Sequence, residues 1–200
     1  MRSLVLLTAL LAAWPAAAKN ASSSAGGAQK EFSHSKDCMA YSLPAEVRPY
    51  VVEATEAEAA ASGMRKHIKP TGEGGICTGK IYKVTGALHV YRVTSESSFP
   101  KAFGGWWSGR KSDEAYASKK AWRFRNEVCT PWNPSADHHF SCKVKRGAFI
   151  AIGSGQSVDC AKLNSGSEKF PATGIVQIAV DSRKDIAAAD CTPPAKGSKW

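Results

Sequence analysis

Six cysteines constrain this 200-residue chain more than any other feature of its sequence. They stand at Cys38, Cys77, Cys129, Cys142, Cys160 and Cys191. An even number in an exported chain reads as three disulfides. Export is written at the N-terminus. Arg2 supplies a positive start, Leu4 to Trp14 an apolar stretch, and Ala16-Ala17-Ala18 a small-residue cleavage site. The apolar stretch is shorter than the roughly 20 residues that span a bilayer. Residues 1–18 are therefore read as a signal peptide cleaved near Ala18, and the mature chain as secreted to an extracellular or periplasmic compartment. Spacing favours Cys129–Cys142, which leaves Cys38–Cys77 and Cys160–Cys191 by elimination. There is no Cys-x-x-Cys or His-Glu-x-x-His spacing, so no metal is expected.

Hydropathy and turn residues divide the rest. Residues 19–36 are rich in Ser, Ala and Gly and read as a flexible N-terminal arm. Asn20-Ala21-Ser22 matches a glycosylation acceptor. Residues 37–191 form one globular domain, and 192–200 a polar tail. Pro44 to Ser62 is rich in Ala and Glu and predicts a helix that Gly63 stops. Strands are expected at Ile81–Val84, Leu88–Val93, Ser141–Lys145, Ala148–Ile152 and Ile175–Val180. Ser112 with Asp113 and Glu114 marks a helix start leading into 115–128. Residues 64–75 and 130–140 read as loops. The fold class is α+β: an N-terminal helix, then a strand-rich, disulfide-stapled single domain with one inserted helix.

The chain carries 27 Lys and Arg against 17 Asp and Glu, a net charge of +10. That excess implies a phosphate-bearing small molecule or an anionic polymer as partner. The basic residues gather in 101–125 and 143–146, whereas Glu46, Glu53, Glu56 and Glu58 lie on the expected first helix.

Gly-x-Ser-x-Gly and Gly-Lys-Ser/Thr signatures are absent. Four features remain. Arg92 interrupts the strand His89-Val90-Tyr91-Arg92-Val93, where a cation faces either solvent or an anion-binding cleft. Trp106 and Trp107 follow Gly104-Gly105, and adjacent aromatics point to opposite faces of a strand, one into a groove and one into the core. Residues 147–157 run from a strand into a Gly-rich loop. Gln177 interrupts an apolar strand on the face of Ile175 and Ala179, as a structural amide or as part of a site.

Taken in order, these features resemble the ADP-ribosyltransferase and NAD glycohydrolase toxin superfamily over residues 88–180. The carrying motifs are Tyr91-Arg92, Trp106-Trp107-Ser108, Lys145-Arg146-Gly147 with Ile150 and Ile152-Gly153, and Pro171-x-x-Gly174-x-x-Gln177-Ile178. The resemblance implies a toxin or effector that takes NAD as substrate and cleaves its nicotinamide–ribose bond. Arg92 would hold the phosphates or ribose, Trp106 and Trp107 a stacking face, and Ser108 the nicotinamide pocket. Gln177 would contact the nicotinamide ribose, which makes Arg92 and Gln177 the implied catalytic pair. Gln177 stands where transferases carry Glu, so hydrolysis is the more natural outcome. The resemblance leaves room for an immunity or host-protein partner.

Two rival classes use the same charge. A secreted ribonuclease could draw acid and base from His89 and His138 or His139, with Lys143, Lys145 or Arg146 as phosphate clamp. Residues 101–125 interleave Lys101, Arg110, Lys111, Lys119, Lys120, Arg123 and Arg125 with Trp106, Trp107 and Trp122, as a nucleic-acid face would. A non-enzymatic module binding an anionic polymer or a host protein needs only the charge.

Overall fold

The computed structural model describes residues 27, 29, 31–33, 36–97, 104–109, 118–193 and 195–196. The expected signal peptide, the Asn20 acceptor and the Ser112 helix start lie outside these residues. Among the described residues, twelve strands and three α-helices follow one another. The first half holds β1 (Phe32–Ser33), β2 (Val51–Glu53), α1 (Glu56–Ala61), β3 (Ile76–Val84), β4 (His89–Thr94) and β5 (Trp106–Trp107). Next come α2 (Lys119–Asn126), β6 (His138–Val144), β7 (Phe149–Gly155), β8 (Val158–Asp159) and β9 (Lys169–Phe170). The chain closes with β10 (Thr173–Val180), α3 (Ser182–Asp185), β11 (Ile186–Cys191) and β12 (Ala195–Lys196).

The strands form two main antiparallel sheets. One runs β1-β3-β7-β10-β5, with β2 also paired to β3. In the other, β6 pairs with β4 on one side and with β11 and then β12 on the other. The sheets pack through one core. Ile150, Ile152, Ile178, Val180 and Trp107 from the first sheet meet Val90, Phe140, Cys142 and Val144 from the second. The alternate residues of the first sheet, Ile81, Ala151 and Ala179, face a smaller core closed by Ala54, Ala59, Met64 and Ile68. Its central strands are apolar on both faces because both faces are covered.

The long N-terminal helix is a correction. Residues 44–62 instead form a 3-10 turn at Arg48–Tyr50, strand β2 and the short helix α1. Pro49 cannot donate within a helix. Val51 and Val52 pair with Val84 and Lys83 of β3, the placement β-branched residues favour. Helix begins only where Thr55 and Glu58 make a capping box. The arm also differs from expectation at its end. Gln29 is buried and exchanges side-chain hydrogen bonds with the backbone of Ala54 and Ile81, and β1 pairs with β3.

All three disulfides form, but two pairings are corrected. Cys38–Cys77 is as expected; the others are Cys129–Cys160 and Cys142–Cys191. Cys142 faces Cys191 across the β6–β11 register, so a strand pairing that sequence spacing does not reveal decides the partner. That bridge ties down the chain end, where β12 pairs beside it. Disulfides of this kind belong to oxidising compartments, and no helix among the described residues is long and apolar enough to cross a membrane.

Candidate active site

Strand alternation decides where Arg92 goes. Val90, Arg92 and Thr94 pair with Cys142, Phe140 and His138, so Arg92 shares the face that Val90 and Phe140 turn to the core. Its guanidinium is therefore desolvated, and burial holds its pKa down to about 10, still charged at neutral pH. One terminal nitrogen donates to the Trp106 carbonyl at 2.8 Å. Nε has no partner, and no carboxylate among the described residues pairs with the group. A desolvated, uncompensated cation costs several kcal/mol. The fold carries that cost where an anion could offset it. Gly104 has no side chain because a Cβ there would lie 2.3 Å from the guanidinium.

Strand β5 supplies the adjoining wall. Trp107 points into the main core, edge-on to Phe140, and its Nε1 donates to the Gly104 carbonyl and to Ser182 Oγ. Trp106, on the other face, is only half-buried and stands edge-on to His67 with ring centroids 5.3 Å apart. Ser108 continues the strand and exchanges two backbone hydrogen bonds of 2.8 Å with Tyr91, tying β5 to β4.

On the neighbouring strand β10, Gln177 shares the Trp106 face and lines the cleft with a residue the sequence did not single out, Glu127. Helix α2 runs from its Ser118 cap to Asn126 and ends with Glu127 in the left-handed region, φ 49°. Glycine or asparagine ordinarily takes that position, so a glutamate there marks local strain. The Glu127 carboxyl is buried. It accepts from Gln177 Nε2 at 2.5 Å and shares a hydrogen bond with the Thr173 hydroxyl. Burial raises its pKa well above the ordinary value, partly opposed by the bonds from Thr173 and Gln177. Gly155 makes the room, since a Cβ there would come within 2.5 Å of both carboxyl oxygens. The Gly-rich stretch expected as a loop is thus buried strand through Gly155, with its glycines facing β3 and Glu127.

Arg92, Trp106, Trp107, Ser108 and Gln177 line one cleft together with Glu127. Its cavity volume is about 170 Å³, smaller than the roughly 300–1,000 Å³ of most small-molecule sites. The other walls come from Tyr91, from Trp122 and Asn126 on α2, and from Trp132 and Asn133 in the loop that Cys129–Cys160 holds.

No family model and no curated protein matches this chain. One solved structure, described as Tne2 in complex with Tni2, aligns with a TM-score of 0.40 and 13% identity. The alignment covers 61% of this chain and 94% of that one. That likeness is too slight to assign an activity.

The histidines do not converge. His89 pairs with Lys143 and His138 with Thr94, five positions along β4 and on the opposite face. His139 shares the His89 face but pairs with Val93, four residues or about 13 Å away. The basic segment is also engaged internally. Lys119 pairs with Asp137, Arg123 donates to the Asn133 and Pro134 carbonyls, and Trp107 and Trp122 are buried. Lys101, Arg110 and Lys111 lie outside the described residues.

Proposed function

We propose that the cleft binds NAD and cleaves its nicotinamide–ribose bond, with water as acceptor. One observation carries the reading: Arg92, which no carboxylate among the described residues pairs, and the Gln177 amide line the same cleft, with the half-buried Trp106 on its wall. Arg92 offers a guanidinium to the pyrophosphate, and Trp106 a stacking face to the nicotinamide. Gln177 contacts the ribose. The bond from the ribose anomeric carbon to the nicotinamide nitrogen breaks, and its electron pair leaves with nicotinamide. Water then bonds to that carbon and gives up a proton, yielding ADP-ribose, nicotinamide and H⁺. The residues hold the pyrophosphate and ribose fixed while positive charge builds on the ring, the source of most catalytic gain in such steps.

The test is incubation of the oxidised protein with NAD and chromatography of the products. Equal release of nicotinamide and ADP-ribose is expected, reduced on the order of 100-fold in Arg92→Ala. Absence of release from a correctly folded wild-type protein contradicts the reading. RNA cleavage in its place would favour the nuclease, and salt-sensitive retention on an anionic polymer without turnover the binding module.

A further inference from the structure

A glutamine amide on a cleft wall can present a donor or an acceptor, and the two select different ligands. In Gln177 the choice is already made. Nε2 carries two protons, directed to Glu127 Oε2 at 2.5 Å and to the Asn126 carbonyl at 3.3 Å. With both committed, Oε1 is the atom left to meet a ligand.

Glu127 is held from every side. Its backbone is fixed at the end of α2, Gly155 leaves the space for its carboxyl, and Thr173 Oγ1 meets Oε1. Its protonation state does not reverse the arrangement. As a carboxylate, Oε1 accepts from Thr173. As an acid, Oε1–H donates to Thr173 Oγ1, whose own proton turns to the Arg125 carbonyl at 3.1 Å. Oε2 accepts from Gln177 in both cases.

We propose that Glu127 is a positioning residue that locks the Gln177 amide with its carbonyl toward the cleft, committing the site to a ligand hydroxyl that donates. The proposal deepens the NAD-cleaving reading and rests on it for the ligand, which makes the donor a ribose hydroxyl. As positive charge develops on the ring the hydroxyl becomes a better donor, so the bond strengthens in the transition state. The lock therefore acts on kcat more than on KM.

Two substitutions separate a lock from an acid. In Glu127→Gln, the new carbonyl can accept from Gln177 while its NH₂ donates to Thr173, so the lock is kept and the titratable proton is gone. Glu127→Met removes the lock and leaves no buried charge. The chain has three glutamines, Gln29, Gln156 and Gln177, so selective ¹⁵N labelling gives three side-chain NH₂ pairs in wild type and four in Glu127→Gln, with the Gln177 pair assigned by adding Gln177→Leu to each. The Gln177 protons are expected to be shifted downfield and protected from exchange in wild type and Glu127→Gln, and to lose both properties in Glu127→Met. For NAD turnover, kcat should stay within about threefold in Glu127→Gln and fall on the order of tenfold to hundredfold in Glu127→Met, with KM nearly unchanged. Loss of turnover in Glu127→Gln equal to that in Glu127→Met would overturn the lock. So would unchanged Gln177 signals in Glu127→Met. If Glu127→Met does not fold, Thr173→Val, which loosens Glu127 without touching Gln177, is expected to broaden the same signals; unaltered signals there count against the lock. Absence of turnover in wild type would remove NAD as the ligand, while the amide spectra would still decide the lock.

Discussion

Glu127 is costly in two ways: a non-glycine residue at φ 49° and a buried carboxyl. Its raised pKa has a measurable consequence. The unfolded chain loses this proton near the ordinary 4.5, whereas the folded chain keeps it to higher pH. The stability it contributes is thus complete below the unfolded value and lost as pH rises through the folded one. Glu127→Gln removes that dependence. The stability gap between variant and wild type, from urea midpoints, should therefore move in the variant's favour between about pH 5 and about pH 8; a constant gap contradicts it. Gly155→Ala forces a methyl against the same carboxyl and should destabilise by about 1–3 kcal/mol, read from the same midpoints; an unchanged midpoint would show that the carboxyl moves aside freely. Arg92 and Gln177 are legible in the sequence because each interrupts the apolar pattern of its own strand, and Trp106 because it adjoins a second tryptophan. Glu127 is not. It follows an ordinary helix, and only the packing of α2 on β10 brings it beside Gln177.

Among the elements, strands read more clearly than helices. The alternation in β4, β7 and β10 was visible because side-chain direction along a strand is local. The Ala-Glu stretch before Gly63 misled because helix propensity is weak against pairing, and Val51–Glu53 pairs with β3. Disulfide partners depend on which strands meet, as Cys142 and Cys191 show. The bridges should also differ in effect. Replacing Cys129 and Cys160 with Ala should cost about 2–4 kcal/mol and raise the KM for NAD, because that bridge anchors the loop bearing Trp132 and Asn133. Replacing Cys142 and Cys191 should cost similar stability with little change in KM, since that bridge lies on the far edge of the second sheet. Urea midpoints with steady-state kinetics check both, and an equal rise in KM would count against the cleft as the site.

Across the whole molecule, the +10 charge is unevenly spent. The acids near the N-terminus are neutralised locally: Glu53 pairs with Lys80, Glu56 with Arg65 and Glu58 with Lys83. Lys119 and Arg123 brace the loop beside the cleft. Arg92 has no such partner among the described residues, and it sits where two sheets, the end of α2 and a disulfide-held loop meet. The measurement that tests the account most directly is the initial rate of nicotinamide release from NAD by wild type and by Arg92→Ala, Trp106→Ala and Gln177→Leu, each confirmed as folded by near-UV circular dichroism. The account predicts release by wild type and a fall of at least about tenfold in each variant, with a His138→Ala/His139→Ala double variant unaffected. No release by wild type, or rates in the three cleft variants equal to it, would contradict the account.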